Sequence, residues 1–176
     1  MHGSTPVITL HTVGDERRRL RRRYLSLGIG ELVAAALFFG IGVVQVIPRL
    51  GGPGSSLPMW FALGPLLLIL VQAGSYWLLA RAWVARSPMP AGLAAAYRAL
   101  RVLNPGVLLA GLLGLVVTWP QRPAMGWLLL AVWGFGVVEY LNYFVVRLSY
   151  PPSQWLSRVT QWRTPRLVED ILRRRP

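Results

Sequence analysis

The sequence predicts an all-α membrane protein with four transmembrane helices, both termini cytoplasmic, and short interfacial helices on the cytoplasmic side. Three observations carry that expectation. The chain is 54% hydrophobic and only 14% charged, with a mean hydropathy of +0.46, too apolar for an ordinary soluble domain. It contains four apolar runs near the length of about 20 residues that a helix needs to cross a hydrocarbon core of about 30 Å. All 19 basic residues are arginine, clustered beside those runs and not dispersed as on a soluble surface.

Residues 1–16 carry no periodic pattern and are expected to be disordered, with His2 and His11 ordinary exposed side chains. RRRLRRR, Arg17 to Arg23, then precedes the first span, residues 24–47. A basic stretch before an apolar one resembles a signal peptide, but this run exceeds the roughly 7–15 residues of a signal core and no small-residue cleavage site follows. GGPGSS, residues 51–56, is turn chemistry without the Gly-Lys-Ser/Thr of a phosphate loop. The second span covers residues 58–80.

The third span, residues 103–119, is the shortest. Asn104-Pro105 opens it, and because the residue before proline resists the helical region, a break is favoured there. Residues 90–103 then form a separate interfacial helix, with Leu93, Tyr97 and Leu100 on one face. The fourth span, residues 125–146, completes a transmembrane domain over residues 17–150. In the tail, residues 151–176, Pro151-Pro152 stops the fourth helix and Trp155, Val159 and Trp162 align at helical spacing. Thr164-Pro165 opens a last short helix through Leu172. Tryptophan with arginine favours the headgroup region, so the tail is expected to lie on the membrane surface.

Orientation follows from the arginines, which cytoplasmic segments retain. Six precede the first span, Arg81, Arg86, Arg98 and Arg101 lie between the second and third, and seven follow the fourth; the other two loops hold Arg49 and Arg122. Trp60, Trp119 and Trp127 then fall at the outer interface, and Tyr24, Trp77, Trp83 and Tyr150 at the inner one, as an aromatic belt requires. The net charge of +13 therefore reads as topology in the cell membrane and attraction to anionic inner-leaflet lipids, not as nucleic-acid binding. Arginine without lysine, beside abundant Ala and Gly, is the bias of a high-GC bacterial genome.

Two carboxylates interrupt the apolar runs. Counted at 1.5 Å per residue, Glu139 lies about 12 Å before Arg147, Glu31 about 12 Å after Arg23, and Gln72 about 13 Å before Arg81. All sit at one depth on the cytoplasmic side, too deep for a glutamate to reach the surface, so each faces the bundle interior, water or a partner. Helical phase puts Gly28, Ala35, Gly42 and Gln45 on the Glu31 face, and Tyr143 and Tyr150 on the Glu139 face with Asn142 and Arg147 beside it. Gln72 aligns with Tyr76, and Asn104, Gly111 and Thr118 recur every seven residues. The candidate pocket is therefore Glu31, Gln72, Tyr76, Asn104, Glu139, Asn142 and Tyr143, open inward and closed outward by apolar packing.

Two uses of the carboxylates compete. In one, each pairs with Arg81, Arg101 or Arg147, or bonds to Tyr76 and Tyr143, and fixes helix register; in the other, the two share a proton or cation at one site. Catalysis ranks below both: no histidine lies in the spans, and no GxSxG, metal-spaced or Walker motif is present. No cofactor or metal is called for, and the chain has no cysteine for thiol or disulfide chemistry. The leading expectation is a non-enzymatic membrane protein whose pocket takes a partner subunit or small ligand. The alternatives are a proton- or cation-coupled carrier acting as a homo-oligomer, and a membrane-embedded lipid-modifying enzyme.

EYLNYFVVRLSY, Glu139 to Tyr150, resembles the last-span segment of small uncharacterised four-helix bacterial membrane proteins. The resemblance implies that architecture and no activity.

Overall fold

The structure, a computed structural model, describes residues 7–51, 56–84, 87–146 and 164–172, with side chains described from residue 15 onward. Every regular element among them is a helix: α1 (Val7–Ile41), α2 (Ile47–Leu50), α3 (Leu57–Ala80), α4 (Ala91–Val117), α5 (Pro123–Phe144) and α6 (Arg166–Leu172). Four helical stretches, Asp15–Leu50, Leu57–Ala80, Ala91–Val117 and Pro123–Phe144, are long and apolar enough to span a membrane. The first helix begins at Val7, inside the segment expected to be disordered through residue 16. Extending an existing helix forms one backbone bond per residue fixed, so a helix nucleated elsewhere propagates cheaply into a patternless stretch.

Between α1 and α2, residues Gly42–Val46 form one π-helical turn in which the Ile47 N–H bonds to the Gly42 carbonyl, five residues back. Pro48 has no N–H to donate four residues back, and the wider turn accommodates it without ending the span.

The third span is longer than expected. Asn104-Pro105 does not break it; the interfacial helix assigned to residues 90–103 is the first half of α4. Pro105 deprives the Arg101 carbonyl of its donor four residues on. The hydroxyl of Tyr140 on α5 donates to that carbonyl at 3.1 Å, which removes the cost of keeping the helix continuous. Seven residues earlier on α5, the Trp133 indole N–H donates to the Leu108 carbonyl at 2.9 Å, so two side chains of α5 bond the α4 backbone.

Helix α3 is the centre of the bundle. Of its most apolar stretch 61% is buried, against no more than 22% for the corresponding stretch of any other span. Its close contacts rest on glycine. Gly28 of α1 and Gly74 of α3 approach so nearly that a Cβ on either would lie 3.0 or 3.1 Å from the other's carbonyl oxygen. A Cβ on Gly111 of α4 would lie 2.6 Å from the Phe61 carbonyl, the group that Pro65 leaves without a helical donor. Small residues at these crossings let membrane helices come close enough for van der Waals attraction to hold them.

The core has two parts. Toward the end away from the arginine clusters Ala35, Met59, Ala62, Leu63, Leu66, Leu70, Leu115 and Leu129 form an aliphatic cluster. Toward the arginine-rich end Tyr24, Tyr76, Trp83, Tyr97, Tyr143 and Phe144 make it aromatic and polar-tipped. Tyr24 and Trp83 are thus core residues, 8% and 6% exposed, and not the lipid-facing belt members expected. Trp60, Trp119 and Trp127, at the opposite end, are exposed. Val33, Leu37 and Ile41 of α1 and Leu109, Leu113 and Val116 of α4 also face outward, as surfaces in contact with acyl chains must.

Helix α6 departs from the surface placement expected of the tail, whose residues 151–163 lie outside the described residues. Leu167, Val168, Asp170 and Ile171 are buried, so this helix packs on the end of the bundle and not on lipid. The Pro165 carbonyl accepts its first backbone bond, from Glu169 at 3.0 Å, which makes Pro165 and not Thr164 the capping position. Trp155, Val159 and Trp162 lie outside the described residues, as do Arg147 and Tyr150.

Candidate functional site

The polar side chains of the arginine-rich half separate into three groups. The first joins α3 to α4. Gln72 Nε2 donates to Asn104 Oδ1 at 3.2 Å and Asn104 Nδ2 donates back to Gln72 Oε1 at 2.8 Å, a closed amide pair with both residues buried. Tyr97 adds a bond from its hydroxyl to the Gln72 carbonyl at 3.1 Å. These side chains satisfy each other, which is the requirement for polar groups in a medium without water. Gln72 and Asn104 therefore fix the α3–α4 register and do not line the cavity described below.

The second group joins α1 to α5. The Tyr143 hydroxyl donates to Glu31, 112 residues away in the chain. Glu139 lies one turn before Tyr143 on the same helix. Asn142 is within hydrogen-bonding reach of Glu139. Of the seven expected pocket residues, Glu31 and Tyr143 are thus in contact, with Glu139 and Asn142 beside Tyr143 on α5. Of the expected charge partners, Arg147 lies outside the described residues, and among these neither Arg81 nor Arg101 makes an ion pair with either glutamate. Arg101 contributes its carbonyl to Tyr140 instead, because Pro105 leaves that group open.

The third group involves residues that sequence reasoning missed. Tyr76, fully buried, does not join the glutamates; its hydroxyl donates to Asp170 Oδ2 at 2.9 Å. The Trp83 indole N–H approaches the same oxygen at 3.4 Å, and Arg166 Nε lies 3.5 Å from Oδ1. Burial opposes the charge on Arg166, but Asp170 beside it outweighs that, and the guanidinium is held above its usual range. Asp170 is thereby a buried carboxylate with two donors on Oδ2 and an ion-pair contact on Oδ1, the kind of pairing that makes burial of a charge tolerable. A signal existed in the sequence: Leu167, Asp170 and Ile171 share one helical face, with Arg166 four residues before Asp170.

Between these groups, at the arginine-rich end, lies a cavity of about 310 Å³. Arg23 and Tyr24 of α1, Trp77 of α3, Asn142 and Tyr143 of α5 and Arg166 of α6 supply its polar and aromatic lining; Leu20, Leu27 and Leu167 supply much of the apolar remainder. The Trp77 ring is held edge-on to Tyr24 at 5.0 Å and to Tyr76 at 5.0 Å. Its indole N–H is buried and makes no hydrogen bond among the described residues. Tyr143 belongs to both features, since it lines the cavity and holds Glu31. Among the described residues no three His, Asp or Glu side chains converge as a metal would require. Compared with protein-family profiles, with curated proteins and with solved structures, the chain matches none of them significantly.

Proposed function

We propose that the protein is a non-enzymatic multi-pass membrane protein, with both termini cytoplasmic, that binds a small ligand in the intramembrane cavity at its arginine-rich end. The position of Tyr143 carries the reading. One face of this residue borders a cavity of about 310 Å³ and its hydroxyl bonds Glu31, so an occupant of the cavity acts directly on the side chain that holds this half-buried carboxylate. Seventeen of the 19 arginines fall in the sequence segments that flank that end of the spans, which supports a cytoplasmic opening. The cavity is at the lower end of the roughly 300–1,000 Å³ of small-molecule sites, and its few polar groups among aromatic and aliphatic ones are the usual makeup of such sites.

A second reading, a proton-coupled carrier, is favoured by the position of Glu139 one helical turn from the Tyr143 that bonds Glu31. Proteoliposomes loaded with a pH-sensitive dye separate the two. Under the binding reading, an imposed pH gradient decays no faster with the protein than without it, and Glu139→Gln changes nothing. Protein-dependent proton flux that Glu139→Gln abolishes would replace the binding reading with the carrier.

A further inference from the structure

We infer that the cavity between α1, α3, α5 and α6 is a site for the phosphate of an anionic amphiphile. The inference rests on the binding reading above and specifies its ligand. Its first ground is the donor set. Arg23, Arg166 and Trp77 line one volume, and the Trp77 indole N–H, with the Tyr143 hydroxyl as its neighbour, completes no hydrogen bond of ordinary geometry among the described residues. A buried donor left unsatisfied costs about 1–3 kcal/mol, which a bound acceptor would recover.

The second ground is the charge balance. No carboxylate is among the lining residues, and the two charged side chains that line the cavity, Arg23 and Arg166, are both cationic. Arg166 is offset by Asp170 and Glu169, but Arg23 makes no ion pair among the described residues. It adjoins Arg21 and Arg22 on the same helix, so the uncompensated charge at the cavity is positive. Guanidinium forks match phosphate oxygens in geometry as well as charge. A cation would meet two guanidinium groups and is excluded from this volume.

The third ground is size and position. A volume near 310 Å³ holds a headgroup and not a whole lipid. Leu27, one turn deeper than Arg23 and therefore about 6 Å further into the membrane, lines the cavity and is also 37% exposed. An apolar chain attached to the phosphate leaves along Leu27 toward the acyl region, whereas a free phosphate would leave this apolar edge unused.

The test uses the full chain in zwitterionic phosphatidylcholine nanodiscs, with phosphatidylglycerol as probe and its retention read by native mass spectrometry. One phosphatidylglycerol per protomer is expected. Arg23→Gln and Trp77→Phe should each lower retention about tenfold, the loss of one charge-assisted or buried hydrogen bond. Arg18→Gln, which removes equal charge from α1 outside the cavity, should change it less than about twofold. Thermal melts without probe verify that each variant is folded. Displacement of phosphatidylglycerol by inorganic phosphate would support the phosphate chemistry with a soluble source, and resistance to displacement would support the lipid. Equal losses in Arg18→Gln and Arg23→Gln would mean a diffuse field and overturn the site. Equal retention of neutral diacylglycerol, lost in Trp77→Phe, would overturn the anion while leaving the binding reading intact. No retention of any probe, with a Leu27→Cys variant closed to water-soluble maleimide, would overturn both.

Discussion

The hydroxyl of Tyr140 bonds the carbonyl of Arg101 at 3.1 Å, and Arg101 is the residue whose helical donor Pro105 removes. A side chain on one span thus repairs the backbone of its neighbour. Tyr140→Phe is expected to destabilise the bundle by about 0.5–2 kcal/mol, the range for hydrogen bonds between membrane helices. Pro105→Ala restores a backbone N–H at position 105, and in that background the same change should cost close to nothing. Reversible unfolding in mixed micelles measures the difference; equal costs in the two backgrounds would show that the bond does not serve the proline.

The amide pair between Gln72 and Asn104 makes a non-additive prediction. Gln72→Leu or Asn104→Leu alone strands a buried amide and should cost about 1–3 kcal/mol. The double substitution leaves neither amide unpaired and should cost clearly less than the sum of the two. A double-mutant cycle in the same unfolding assay reads the coupling.

Helix α6 is held by Asp170. Tyr76→Phe removes the donor at 2.9 Å and leaves the carboxylate with its weaker contacts at 3.4 and 3.5 Å. Hydrogen bonds to charged groups are worth about 1.5–3 kcal/mol, so undocking of α6 should become roughly tenfold or more frequent. Limited proteolysis within residues 164–172 should accelerate by that factor while the spans stay resistant. Unchanged proteolysis would place the docking energy in Leu167 and Ile171 alone.

Two glycines of the same helix should respond oppositely. A methyl group at Gly111 meets the Phe61 carbonyl at 2.6 Å, so Gly111→Ala should destabilise by about 1–3 kcal/mol through overpacking. Gly106 has nothing within 4 Å of the added carbon, and Gly106→Ala should be neutral or stabilising by up to about 1 kcal/mol.

What the sequence disclosed depended on the range of the interaction. The second span, expected over residues 58–80, is found at Leu57–Ala80, because an apolar run and its polar flanks are local properties. Counting depth from the arginines placed Glu31 and Glu139 at one level, and Tyr143, one turn from Glu139, does reach Glu31. The continuity of α4 was not legible. The rule against a helical residue before proline is local, whereas the compensating Tyr140 lies 39 residues from Arg101. Asp170 was missed for the same reason: in a tail dominated by arginine it reads as a solvent-facing charge, and its partner Tyr76 is 94 residues away. Polar groups at equal depth were assigned to one pocket, but depth does not say which neighbour each finds. Gln72 and Asn104 found each other, and Tyr76 found the tail.

The central claim is that a water-accessible cavity opens at the arginine-rich, cytoplasmic end. The chain has no cysteine, so single-cysteine variants report without background. Leu27→Cys, in the cavity lining, and Trp127→Cys, at the opposite end of the spans, should be treated with a membrane-impermeant maleimide in vesicles of each orientation. The account predicts that Leu27→Cys reacts only from the cytoplasmic face and Trp127→Cys only from the outer one. Reaction of Leu27→Cys from the outer face, or from neither, would contradict it.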